Sequence, residues 1–377
     1  MRIAAFNVEN LFDRAKAFNH DAVESTEILR KHSKLNSLFE RSTYTSNVKR
    51  DMLALMTDLG ILRSNTGPYV QLRKIRGQLI SRPRTAAPYI KASGRSDWVG
   101  WCELRTAHVN EIAIQNTARV IKDVDADILA MVEIESRPVL KEFNETVFKE
   151  IGGTPYPNLM VIDGNDLRGI DVGLMTKAGL SLGKMRSHVH DLKPDGHPIF
   201  SRDCPEYEVS GRNDETIVVL PNHFKSKFGG NNAASRAKRL AQATATKQIY
   251  QRLIAEGYRN VVILGDLNDT PDSTELMPLL QDTDLRDVSD HPRFDQYEFN
   301  AQNGQKGIGT FGLGNDSAKI DFLLLSPALY AAMEQGGIFR KGAWPGSSPR
   351  RWETYPELTK KMHVASDHHA IWVDLEI

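Results

Sequence analysis

The chain is poor in cysteine: Cys102 and Cys204 are the only two in 377 residues, and they lie far apart. That excludes a disulfide framework and any metal knuckle built on Cys spacing. No uninterrupted apolar run approaches the ~18 residues of a membrane-spanning helix, so no membrane span is expected. The opening MRIAAFNVENLFD brings Asn7, Glu9 and Asn10 directly after a short apolar run. It has neither an h-region nor a small-residue cleavage site, so a cytoplasmic location is expected. Net charge is also lacking, with 48 Lys+Arg against 48 Asp+Glu. Nucleic-acid binders usually carry a basic excess, so neutrality argues at first against one. The neutrality is uneven, however. From Leu59 to Ser96 there is no acidic residue, yet Arg63, Arg73, Lys74, Arg76, Arg82, Arg84, Lys91 and Arg95 fall there. Pro68, Pro83 and Pro88 with Gly67, Gly77 and Gly94 predict loops or a small insert in that stretch rather than long helices. It reads either as a solvated basic surface or as a surface that contacts polyanions.

What is present is ordinary globular material, 40 % apolar and 25 % charged, enough for a sizeable core. Short β-branched-rich runs at 3–8, 127–132, 170–175, 216–224, 261–267, 320–325 and 370–375 read as buried strands. Helical patterns occupy 111–124, 138–150 and 233–256. In the last, Leu240, Ala243, Ile249, Leu253 and Ile254 form an apolar stripe expected to lie opposite the basic residues. Strands mixed with helices throughout point to a layered α/β or α+β fold.

The chemistry is concentrated where these strands end. The first closes on Asn7-Val8-Glu9, and the 127–132 run on Glu133-Ile134-Glu135. The 216–224 run contains Asn222-His223 and leads to Lys225, and Gly265-Asp266-Leu267-Asn268 closes the next. Asp321 opens the 320–325 run, and Ser366-Asp367-His368 precedes the last strand. Carboxylates and amides at strand ends are costly to bury unless paired or metal-bound. Gathered on one edge of a sandwich they would form an oxygen-rich site suited to Mg²⁺ or Mn²⁺ rather than Zn²⁺. Singly, each signal is modest: an Asp after a strand is more often a turn or cap residue.

Taken in order, these motifs resemble the endonuclease/exonuclease/phosphatase superfamily, which includes DNase I-like nucleases, exonuclease III-like abasic endonucleases, inositol polyphosphate 5-phosphatases and neutral sphingomyelinases. The resemblance spans residues 1–377 as a single domain, with a basic insertion at about 14–110 between the first strand and the first helix. It implies a DNase I-like four-layer α/β/β/α sandwich of two mixed β-sheets flanked by helices, with the active site at one end of the sheets. It implies that Glu133, Asn7, Asp367 and Glu9 surround the metal. It gives Asp266 and Asn268 the roles of orienting or deprotonating water and holding a phosphate oxygen. It pairs Asp321 with His368, places His223 and Asn222 at the scissile phosphate, and puts Arg168 where several members bind substrate.

The core motifs do not choose a substrate. The basic insertion, above all Arg73, Lys74 and Arg76, together with Lys225, Lys227, Arg236, Lys238 and Arg239, suggests a track for several phosphates, as a polymer requires. The expectation is therefore a metal-dependent nuclease, an endonuclease acting on DNA. The alternatives are a phosphomonoesterase or an inositol-phosphate or phospholipid phosphodiesterase, and last a catalytically inactive binding protein. Gly307-Ile308-Gly309-Thr310-Phe311-Gly312 fits GxGxxG, but a strand rather than a helix follows, so it reads as a loop before Asp321. Trp98 and Trp101, near Glu103 and His108, read as packed anchors of the insertion before they read as a base-stacking platform.

Overall fold

The structure, a computed structural model, describes the chain except residues 10, 16–21, 109, 167, 212–214, 228–230, 296–297, 301–304 and 348–349. Asn10 and the side chain of His108, both singled out above, lie outside the described residues. Two compact units emerge, residues 1–12 with 109–377, and Asp13–His108.

The larger unit holds two six-stranded mixed sheets. The first runs Met333–Phe339, Ala370–Leu375, Arg2–Asn7, Ile128–Ile134, Asp171–Thr176, Asn158–Ile162. The second runs Ser181–Arg186, Glu206–Ser210, Thr216–His223, Asn260–Asp266, Asp321–Leu325, Arg286–Asp287. Alternation along the strands produces the layers. Ile3 and Ala5 face one way, into a core shared with Val219, Val262, Leu264, Leu323 and Ile371 between the sheets. Ala4, Phe6 and Val8 face the other way, onto the helices Glu111–Val124 and Arg137–Glu145 through Ala118, Ile121, Leu140 and Phe143. In the second sheet, Val261 and Ile263 turn outward to meet Ala243, Ile249 and Leu253 of the helix Ala233–Ala255. A side-chain period of two with both faces covered by apolar layers gives the four-layer α/β/β/α arrangement.

Two details differ from the sequence pattern. The helix read over 138–150 is broken at Thr146 into Arg137–Glu145 and Val147–Glu150. There the Thr146 hydroxyl donates back to the Glu142 carbonyl at 2.6 Å, the local competition that bends helices. The long helix Ala233–Ala255 presents only part of the expected stripe, burying Ala243, Ile249 and Leu253. Leu240 and Ile254 are exposed, whereas Arg239, Gln242 and Thr246 lie on the buried face. Most of their polar atoms have partners, although Gln242 Nε2 is buried without one among the described residues. Arg239 donates to Asp269 at 2.8 Å, Gln242 Oε1 accepts from the Lys225 amide at 2.8 Å, and the Thr246 hydroxyl donates to the Gln242 carbonyl at 2.9 Å.

The Asp13–His108 unit has its own core. Helices Ala22–Phe39 and Ser46–Asp58 pack with a two-stranded ribbon, Val70–Gly77 against Trp98–Leu104, around Leu35, Phe39, Met52, Met56, Val70, Trp98 and Cys102. Among the described residues of 59–96 there is no helix, in line with the Pro/Gly pattern. Trp98 is the expected anchor, fully buried and edge-on to Phe39 at 4.8 Å, but Trp101 is not, being exposed. No helix among the described residues is long and apolar enough to cross a membrane.

Candidate active site

Strand register assembles the site. In the second sheet His223 is level with Asp266, and Asp266 with Asp321, across three adjacent strands. In the first sheet Asn7 ends its strand level with Val132, one residue before Glu133. The two sheets meet where the Asn7 amide donates to Asp266 Oδ2 at 3.3 Å. Positive φ accompanies these ends. Among the described non-glycine residues Glu9, Asp125, Glu133 and Asn268 have it; Asp125 is a helix C-cap and the other three border the site. Left-handed backbone makes Glu133 the extra residue of a bulge inside its strand, between Val132 and Ile134, and at Asn268 turns the chain just past its strand, a strained geometry typical of functional sites. Gly265 is required by the same packing: a Cβ there would sit 2.2 Å from the Asn222 carbonyl oxygen on the neighbouring strand.

His368 Nδ1 lies 2.8 Å from Asp321 Oδ2, and its Nε2 lies 3.9 Å from Asp266 Oδ2 and 3.9 Å from Asp367 Oδ1. Burial opposes a charge on this ring, but Asp321 and Asp266 override it and hold the imidazole well above its ordinary pKa. Burial pushes the Asp266 carboxyl up to about 7, with Asp321 and Glu133 adding to the rise and His368 opposing it. Asn268 closes over Asp266 with its backbone amide at 2.8 Å and its side-chain amide at 2.9 Å.

His223 is the second buried ring. Its Nε2 lies 3.6 Å from Asp266 Oδ2 and 3.7 Å from Glu133 Oε1. Behind it is Arg202, which the motif reading missed: its Nε donates to His223 Nδ1 at 3.0 Å and a terminal nitrogen meets Nε2. Burial, then Arg202 and Arg168, hold His223 well below its ordinary pKa, so the ring is neutral. Burial lowers the Arg202 guanidinium to about 10. Asp166, also missed, receives Arg202 at 3.4 Å and Arg168 at 2.5 Å. Burial works against the Asp166 charge, but the two arginines override it and keep the carboxyl well below the usual range. Lys225 sits in the same basic neighbourhood and is lowered to about 8 by burial, then by Arg168 and Arg202. A buried arginine in the irregular Ser201-Arg202-Asp203 stretch carries no periodic signal, which is why it escaped notice.

Several expectations change. Asn222 is fully buried, donating to the Leu220 carbonyl at 3.0 Å and accepting from the Thr246 hydroxyl at 3.5 Å. In this structure it braces the strand against the long helix instead of presenting a phosphate donor. Arg239 is likewise structural, fully buried on Asp269. Lys227 also pairs with Asp269, and Arg236 with Glu275 at 3.6 Å, so the cations after His223 are largely engaged within the protein. Glu9 Oε2 accepts the Asp367 amide at 3.3 Å, tying the first strand to the last loop. Glu135 accepts the amides of Leu11 and Phe12 at 3.0 and 2.8 Å, holding the turn after the first strand. The GxGxxG stretch is a loop, with Phe311 edge-on to His368 at 5.0 Å. Arg73, Lys74 and Arg76 belong to the other unit, on its ribbon.

A divalent cation fits the donor chemistry. Among the described residues, Asp266, Asp321 and His368 form a trio of candidate ligands with donor atoms within 4.8 Å of one another. His368 Nδ1 is already committed to Asp321, so that trio is better described as a dyad facing an acid. The oxygen donors around it are Glu133, Asp367, Glu9 and the Asn7 amide, a hard set that suits Mg²⁺-like ions. The carboxyl of Asp266, raised by burial and further by Asp321 and Glu133, marks a place where positive charge is stabilising.

A family model described as Endonuclease/Exonuclease/phosphatase family matches residues 91–373. Among solved structures, a mannosyl-6-phosphatase of Bacteroides thetaiotaomicron is 14 % identical with a TM-score of 0.49, over 71 % of this chain and 92 % of its own. Truncated TDP2 of Caenorhabditis elegans is 16 % identical, TM-score 0.44, over 70 % and 90 %. The human nocturnin catalytic domain, with bound sulfate, is 12 % identical, TM-score 0.47, over 71 % and 87 %. No curated protein sequence matches. The family match extends over most of the chain and takes in Glu133, Asp266, Asp321 and His368, so the protein belongs to the endonuclease/exonuclease/phosphatase family.

Proposed function

We propose that the protein is a Mg²⁺- or Mn²⁺-dependent phosphodiester hydrolase, an endonuclease whose substrate is nucleic acid and specifically DNA. The observation that carries the reading is the pair of opposed groups on one cluster, a cationic His368–Asp321 dyad and the buried Asp266 carboxyl with Asn268 over it. Glu133, with Asn7, Asp367 and Glu9, would hold the cation, which supplies positive charge against the negative charge that builds on phosphate oxygens. His368, protonated at Nε2, donates to a phosphate oxygen or to the departing oxygen. Asp266, near pH 7 in its affinity for a proton, accepts one from the attacking water as general base. Asn268 holds the carboxylate in line, and neutral His223 donates or accepts beside it.

The Asp13–His108 unit is, in this reading, an insertion between the first strand and the first helix of the catalytic domain. Its Arg73, Lys74 and Arg76 belong to the substrate-binding proposal. Two buried free thiols, Cys102 and Cys204, support a reducing, cytoplasmic setting.

One observation favours a second reading. Arg168, Arg202 and Lys225 gather around His223, the first two lowering the Lys225 pKa, a compact cationic cluster that suits a small phosphoester. A substrate panel separates the two: supercoiled, linear and single-stranded DNA, RNA, inositol polyphosphate and sugar phosphates, each with Mg²⁺ or Mn²⁺. The nuclease reading expects plasmid cleavage that is lost in EDTA and reduced at least ~100-fold by Glu133→Ala. Intact DNA alongside phosphate release from the small esters selects the second reading. Cleavage that persists in both EDTA and the variant removes the metal from the mechanism.

A further inference from the structure

The Asp13–His108 unit carries an exposed face that its core does not use. In the ribbon, Leu72 opposes Cys102 and Lys74 opposes Gly100, while Arg73 opposes Trp101 and Arg76 opposes Val99. Directly opposed residues of an antiparallel pair share a face, and successive residues alternate. Arg73 and Arg76, three positions apart, would therefore point to opposite faces in a regular strand. The register shift between Lys74 and Arg76 leaves Ile75 as the extra residue of a bulge and returns Arg76 to the face of Arg73 and Trp101. The outcome is a surface with Trp101 41 % exposed, an arginine opposite it and a second arginine one step along, beside Ile75 at 72 % exposure. An open depression lined by Gln71, Arg73, Glu103, Leu104 and Arg105 continues it. The 38 residues from Leu59 to Ser96 contribute eight cations and no acid to this unit.

We propose that this ribbon face docks single-stranded nucleic acid, with a base stacked on Trp101 and phosphates held by Arg73 and Arg76. An exposed aromatic flanked by arginines is the combination that binds unpaired strands, because every base has a π-face and duplex bases do not expose theirs. Glu103, 2.6 Å from Arg73, does not block this: both groups are about half exposed, and such a pair is weak enough for a phosphate to displace. The same Glu103, level with Gln71 on this face, disfavours an anionic bilayer. The choice of nucleic acid over other polyanions rests on the nuclease reading above.

The test uses the full chain in EDTA, so that no substrate is consumed, and a fluorescein-labelled oligothymidylate beside a duplex of equal length. Fluorescence anisotropy should show tighter binding of the single strand. Trp101→Ala should weaken it roughly 5- to 150-fold, the range for one lost base stack. Arg76→Ala should weaken it and flatten the log–log salt slope by about 0.7, the effect of one phosphate contact on a single strand. Lys74→Ala removes the same charge from the other face and should change binding far less. Unchanged thermal unfolding midpoints establish that the variants are folded. The proposal is overturned if Trp101→Ala binds like the parent, if Lys74→Ala and Arg76→Ala are equivalent, or if Trp101→Ala loses binding to phosphatidylglycerol vesicles but not to the oligonucleotide. If the face binds single strands but the metal-loaded protein cleaves none of the nucleic acids, the nuclease reading fails and this one stands. If nucleic acid is cleaved and Trp101 is irrelevant to binding, the reverse holds.

Discussion

Two buried histidines approach the same carboxylate oxygen, Asp266 Oδ2, one from a strand and one from the loop before the last strand, His223 at 3.6 Å and His368 at 3.9 Å. They share residue type and burial yet are driven to different protonation states, one cationic and one neutral. Behind His368 stands a carboxylate, Asp321, and behind His223 a guanidinium, Arg202. Burial pushes both imidazoles toward the neutral form; Arg202 adds to that push at His223, whereas Asp321 reverses it at His368. The site thereby obtains one cationic donor and one neutral ring around a single acid, a division of labour that two identical residues do not have by themselves.

The strongest way to break this contrast is to remove the carboxylate. Asp321→Asn should let burial dominate at His368, leaving the ring neutral and lowering kcat/KM by about 10²- to 10⁴-fold. The sign follows from the raised pKa. In the parent, activity that needs protonated His368 is lost only as pH rises through that elevated value, and in Asp321→Asn the loss moves to lower pH. A pH–rate profile that keeps its alkaline limb in place contradicts the assignment.

The opposite partner gives a smaller effect. Arg202→Met should relieve His223 and raise its pKa toward the ordinary value, visible as a titration of its imidazole resonances by NMR. Losing one charge-assisted contact should cost on the order of tenfold in kcat/KM. If the His223 resonances stay flat across neutral pH in the variant, burial alone accounts for the neutral ring and Arg202 does not.

The mildest test is the pH dependence of unfolding. His368, raised by folding, contributes stability that is complete below about pH 6.5 and is lost as pH climbs through its folded pKa. His223, depressed by folding, contributes stability that is complete above about pH 6.5 and is lost as pH falls. Each slope is at most about 1.4 kcal/mol per pH unit. Urea unfolding over a pH series should show His368→Asn flattening the alkaline side and His223→Asn the acid side. Equal effects on both sides would mean the two rings are not held in opposite states.

Much of this site was legible in the linear sequence, because strands buried on both faces must be apolar and abrupt polar endings on them stand out. Asn7, Glu133, His223, Asp266 and Asp321 are all such endings. Arg202 and Asp166 were not legible, since they lie in irregular segments where nothing periodic distinguishes a buried charge from a solvated one. Arg239 was misread for a related reason. A helix face is judged apolar or polar from its own residues, whereas the partner that makes Arg239 tolerable inside, Asp269, arrives from another element. Asn222, adjacent to His223, shows the limit of motif reading: one step along a strand turns a side chain to the other face.

The sequence by itself determined seven of the twelve strands in the two sheets, the order of the polar groups at their ends and the uneven distribution of charge, because alternation and composition are local properties. Only the tertiary structure decided which histidine carries a proton, which arginines are buried and which tryptophan is exposed. Those outcomes depend on contacts such as Asp321 with His368 and Arg202 with His223, or on one extra residue at Ile75, and proximity of that kind exists only once the chain has folded.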